Sequence, residues 1–191
     1  MRLGIVAAAF AFALVLAGCN PPSATSDAEG PGGPQLDAPA PETTPSRTFA
    51  AANDAATSAT AALTVAMTLR LPDASQENAD AQEVLTLTGE NGVIIEAQIS
   101  GAMSPATQIE GQTLRALLDI PVEEAQVLVY RVTSETKANG RGVCGAEDAA
   151  HVIVWEPAAP GAAAMKVLGV IGAAPGAAGA RACPMLEYGR Q

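Results

Sequence analysis

A mainly β domain is what this sequence predicts: a small antiparallel β-sandwich or barrel with at most one short helix, behind a signal peptide and a disordered tether. Three observations carry the prediction. From residue 62 onward apolar residues recur with period two in short runs, Gly, Pro and Asn-Gly separate the runs, and no long helical pattern lies between them. The 191 residues suit one main domain, and 49% are of hydrophobic type. Much of that share is alanine, which buries little area, so the core belongs where Val, Leu and Ile cluster. The balance of 10 Lys+Arg against 20 Asp+Glu gives net charge -10, which repels phosphate backbones and argues against nucleic acid as a partner.

Residues 1–18 read as an export signal. Arg2 and the terminal amine supply a positive start, and residues 3–16 (LGIVAAAFAFALVL) form an apolar run shorter than the roughly 20 residues of a permanent span. An ordinary cleaved signal peptide or an uncleaved anchor is the alternative. The run closes on Leu16-Ala17-Gly18-Cys19, which resembles the lipobox of bacterial lipoproteins. That resemblance implies a diacylglyceryl group on the Cys19 thiol, cleavage before Cys19 and acylation of the new amine. Anchoring then rests on acyl chains, each worth about 0.8 kcal/mol per buried methylene. Asn20 in place of Asp implies, as in similar enterobacterial lipoproteins, an outer-membrane address facing the periplasm.

Residues 19–61 are expected to be the lipidated Cys19 followed by a disordered tether. Prolines 21, 22, 31, 34, 39, 41 and 45 sit among Ser, Thr, Gly, Asp and Ala, and Phe49 is the only large hydrophobe near the end of the stretch. Such a segment buries too little to offset its ordering entropy. The Ala-rich stretch 50–62 has helical propensity but no apolar stripe to dock it.

The β domain is expected over 62–191. In "ALTVAMTLRL" Leu63, Val65, Met67, Leu69 and Leu71 share one face, and Pro72-Asp73 ends the run. "EVLTLTGENGVIIEAQISG" gives two runs about Glu90-Asn91-Gly92, where Asn-Gly suits a tight hairpin, and Val93, Ile95, Ala97 and Ile99 face one side of the second. Leu114, Leu117 and Leu118 in "QTLRALLD" have helical spacing, though the piece is short enough for a strand. Strands follow at 126–133, 151–157, 166–172 and 184–188. "QVLVYRV" and "HVIVW" are apolar on both faces, which marks them as the central strands.

Cys144 and Cys183 are the candidate staple. In an oxidising compartment two thiols of one small domain pair, closing a loop of about forty residues worth roughly 3–4 kcal/mol. They lack C-x-x-C spacing, and no third thiol or nearby His completes a metal site. "GRGVCG", 140–145, matches the dinucleotide fingerprint G-x-G-x-x-G, but without a strand before it and a helix after it the glycines serve to turn the chain into the disulfide. No catalytic set emerges. His151, the one histidine, falls in line with Ile153 and Trp155 at a strand start, and the pairs Glu123-Glu124 and Glu147-Asp148 read as solvated faces. Neither a Ca²⁺ loop nor H-E-x-x-H is present, so no cofactor or metal is expected.

"RGVCG" and "ACPMLEY" resemble the G-x-C-G and C-x4-Y pair of small uncharacterised proteobacterial periplasmic lipoproteins, which implies an envelope module. A tethered, disulfide-closed β domain is also similar to the membrane-bound lysozyme inhibitors, whose Ser-Gly loop ends in Tyr. Here "SGAMSP", 100–105, has the Ser-Gly without the Tyr. The expectation is a non-enzymatic, lipid-anchored envelope protein that binds a protein partner or supports envelope assembly. The alternatives are a carrier or sensor of a small apolar ligand and an inhibitor-like module.

Overall fold

The computed structural model describes residues 45–70, 80–124, 126–157 and 165–190. The expected signal peptide, Cys19 and the tether as far as residue 44 lie outside the described residues, as do the connections 71–79 and 158–164. Thirteen elements follow in order: β1 (Arg47–Ala51), α1 (Asp54–Ala59), β2 (Leu63–Arg70), β3 (Gln82–Gly89), β4 (Ile94–Met103), β5 (Gln108–Ile109), β6 (Gln112–Thr113), α2 (Leu114–Leu118), β7 (Val127–Thr136), β8 (His151–Trp155), β9 (Met165–Gly172), β10 (Ala180–Ala182) and β11 (Leu186–Arg190).

Eight of the strands close on themselves. β1, β2, β3, β4, β7, β8, β9 and β11 pair in that order, every pair is antiparallel, and β11 returns to β1. The result is an up-and-down barrel, the second of the two expected architectures, with β10 sharing with β11 one side of β9. Full closure removes the exposed strand edges that a sandwich would have had to protect.

Eight strands leave an interior just wide enough for side chains to fill. Phe49, Leu63, Val65, Leu87, Ile95, Val152, Val167 and Tyr188 fill it. A second apolar cluster lies on the outer face of β7, β8 and β9, where Leu114 and Leu118 of α2 pack with Ile109, Val129, Ile153, Trp155 and Leu168. This explains the strands that read as apolar on both sides: one face meets the barrel interior, the other the excursion between β4 and β7. Lys166 is buried on that outer face at 6% exposure. Its ammonium donates to the Asp119 carbonyl at the end of α2 (2.9 Å) and lies 5.8 Å from the Trp155 ring centre, so the charge is matched to a helix C-terminus and a π face.

Two expectations need correction. The domain begins at β1, inside the stretch read as tether: Arg47, Thr48 and Phe49 pair with Val65, Thr64 and Leu63, and the isolated hydrophobe Phe49 is a core residue. There are two short helices, because the Ala-rich stretch docks as α1. Asn53 caps it by accepting from the Ala56 amide (2.8 Å) and also donates to the Met185 carbonyl (3.0 Å), while Ala56 is fully buried. Small size substitutes there for an apolar stripe. Ile99 keeps the face of Ile95 and Ala97, opposite Tyr130 as Ala97 is opposite Val132, and is 46% exposed beyond the buried part of that row.

Candidate functional site

The two ends of the barrel differ. At one, α1, the β3–β4 turn and the disulfide loop come together. Thr60 and Tyr188 share a hydrogen bond between hydroxyls (2.7 Å) with both residues fully buried, and the Asn91 side chain donates to the Ala59 carbonyl (2.9 Å). Burial pushes the Tyr188 phenol up to about 12, the bond to Thr60 acting the other way. Cys144 and Cys183 are joined here with Cα atoms 5.3 Å apart, as expected from the thiol count. The Glu135 carboxylate braces their loop by accepting from the Val143 (3.2 Å) and Ala149 (2.9 Å) amides. Gly140 and Gly145 take positive φ in tight bridged turns, so "GRGVCG" serves the disulfide and opens no helix.

At the other end the described residues form a half-open cup of about 360 Å³. Its walls are the inward-facing Val65 and Met67 of β2, Leu85 of β3, Leu128 of β7 and Val154 of β8. Period-two alternation puts them there: these residues continue the core rows of their strands past the level at which facing side chains meet. Tyr130, next inward from Leu128, also lines the cup. It is 5% exposed, and among the described residues nothing hydrogen-bonds its hydroxyl. Burial raises its pKa, and the negative charges of Glu83 and Glu156 raise it further.

Charged groups complete the lining. The Arg47 guanidinium grips Glu156 with two bonds (2.6 and 2.7 Å) and lies 5.5 Å from the Phe49 ring centre; the Glu156 bond raises an already high pKa. Glu124 accepts from the Trp155 indole N–H (2.9 Å) and is delivered by the excursion between β4 and β7, where Arg115 donates to the carbonyls of Pro121 and Glu124. Glu83 on β3 adds a third carboxylate.

The structure separates the other candidates of the sequence. His151 starts β8 on the outer face with Ile153 and Trp155, away from the cup, and its Nδ1 is buried without a partner. Burial and the charge of Arg131 hold its pKa below 6.5. Glu147 and Asp148 pair with Arg181 and Lys137 on the surface. Ser100 and Gly101 lie inside β4, at its register shift, rather than in a loop. Among the described residues no group of three or more His, Cys, Asp or Glu side chains is placed to hold a metal ion, and no helix is long and apolar enough to cross a membrane.

Sequence reasoning missed the cup. Arg47 fell in the supposed tether, and Tyr130 stood out only as one of the domain's few aromatics; the one usable signal was Arg47 two residues before Phe49, a strand spacing. Comparison with family models, curated proteins and solved structures gives no match.

Proposed function

We propose that this is a lipid-anchored protein of the bacterial envelope, held at the outer membrane through Cys19, and that its barrel has no catalytic role but binds a protein partner at its open mouth. The lipobox-like tetrad supports the anchor, and the oxidising compartment it implies agrees with the disulfide. One observation carries the binding assignment: a barrel packed with side chains along its length ends in a cup lined by apolar side chains, carboxylates and the Tyr130 hydroxyl, to which no described residue hydrogen-bonds. A barrel end serving only the fold is better filled with apolar side chains than left open over carboxylates and a hydroxyl. Leu69 and Leu128, 37% and 43% exposed, add apolar surface on the inward faces of β2 and β7 near the same end.

The cup volume also lies in the range of small-molecule sites. A purely apolar ligand, however, would cover Glu83, Glu124 and Glu156 without compensating them, which disfavours the apolar-carrier reading. The inhibitor-like reading loses support from the position of Ser100 and Gly101 within β4. The test is a photo-crosslinking amino acid at Leu128 of the full chain in cells, with Ile94, exposed where β4 begins, as the control. A discrete protein adduct from position 128 and not from 94 is expected; adducts of equal yield from both would overturn the assignment.

A further inference from the structure

We infer that the cup receives a basic side chain of the partner, an alkylammonium or guanidinium head on an apolar stem. The inference rests on the binding role proposed for the mouth and gives that role its chemistry. Three carboxylates line the cup against one cation, and Arg47 and Glu156 neutralise each other through two short bonds. Glu83 and Glu124 remain uncompensated. One Glu124 oxygen accepts from Trp155, and among the described residues Glu83 has no hydrogen-bond or ion-pair partner.

Each class of occupant can be weighed against that lining. An anion would meet two unneutralised carboxylates, and a neutral group would desolvate them with nothing in return. A cation on a methylene stem satisfies both requirements, since Val65, Met67, Leu85 and Val154 can cover the stem while the carboxylates and the Tyr130 hydroxyl oxygen accept from the head. The pKa of Tyr130 is raised chiefly by burial, and the negative charge of Glu83 and Glu156 at that hydroxyl adds to it, in keeping with an electronegative cup. The net charge of -10 adds long-range attraction for a basic partner.

The test uses the full chain in detergent micelles with ¹³C-methyl methionine. Met67 lines the cup, whereas Met103, Met165 and Met185 do not and serve as internal controls. The probes are Nα-acetyl-lysinamide, its uncharged isostere Nα-acetyl-norleucinamide, Nα-acetyl-glutamate amide and n-butylammonium. The lysine probe should shift Met67 saturably and leave the other methyls unmoved, with the norleucine probe about tenfold weaker and the glutamate probe inert. Glu83→Gln and Tyr130→Phe should each weaken the lysine probe about threefold or more, while Tyr130→Phe leaves the melting temperature unchanged or higher because the hydroxyl it removes has no hydrogen-bond partner among the described residues.

Norleucine binding as tightly as lysine, or no Met67 shift with any probe, overturns the cation site. Butylammonium binding as tightly as the lysine probe overturns a protein side chain as the source in favour of a free amine. Loss of the Leu128 crosslink with the lysine response intact overturns the protein-partner reading and leaves the cation site standing; the reverse result overturns the cation site alone.

Discussion

Two residues of the barrel, one fully and one partly buried, titrate in opposite senses. Tyr188 is fully buried, donates or accepts in one 2.7 Å bond with Thr60 and has its pKa raised to about 12. The unfolded chain loses the phenolic proton near 10 and the native state does not, so this contribution is complete below 10 and is lost as pH rises towards about 12. Tyr188→Phe should cost about 1 kcal/mol at neutral pH, the low end for a broken buried bond because the Thr60 hydroxyl can still turn to the Ala56 and Ala61 carbonyls. In thermal melts the variant should also lose less stability than the parent at alkaline pH. His151 behaves conversely. Its pKa is held below 6.5, so the unfolded chain binds the proton more readily, and stability falls as pH drops through and below that value. Melting temperatures followed from about pH 7 to pH 5 should decline less steeply for His151→Gln than for the parent; equal slopes would show that other groups carry the acid sensitivity. The sequence placed both residues on strands, but it showed neither the Thr60 contact nor the dry surroundings of His151. Those depend on elements 128 and about 20 residues away in the chain.

At the level of elements, the disulfide and β9 are fitted to one another. A Cβ added to Gly169, in the middle of β9, would collide with Cys144 Sγ and come within 3.3 Å of Cys183 Sγ, so the strand needs a residue without a side chain there. Gly169→Ala should destabilise the domain by about 1–3 kcal/mol through overpacking, read as a lower denaturant midpoint. Reducing the bridge, which links residues 39 apart, should cost about 3–4 kcal/mol; an unchanged midpoint after reduction and alkylation would contradict that role. The pairing of the two thiols was legible because only one partner each remained once Cys19 was assigned to lipid, whereas the need for Gly169 was not, since "KVLGVIG" reads as an ordinary apolar strand. β2 to β4 were legible from periodicity and the Asn-Gly turn, whereas the spacing of Leu114, Leu117 and Leu118 left α2 open between helix and strand. β1 and α1 were not: a five-residue strand with one core hydrophobe and a helix docked by alanine carry almost no pattern, and they hold because the ladder of β2 and the carbonyls near β11 are already in place.

For the whole molecule, anchoring is the first prediction. Cys19→Ser should abolish acyl labelling and release the chain from the membrane fraction; unchanged labelling would remove the lipid from Cys19. The barrel itself should fold in either case, since its described core lies wholly after residue 45. The sequence by itself determined the β class, the spacing of most strands and the thiol pair, because each is written locally in a period, a turn dipeptide or a count. Closure was decided only in three dimensions. Whether seven or eight strands make two sheets or one ring depends on β11 finding β1, a pairing between opposite ends of the domain that no local pattern encodes. The cup follows from that closure: Arg47, Glu83 and Tyr130 come from β1, β3 and β7, Glu156 follows β8, and they meet only because the ring brings β1 and the end of β8 together, where the packed interior stops short and leaves the Tyr130 hydroxyl on the cup wall.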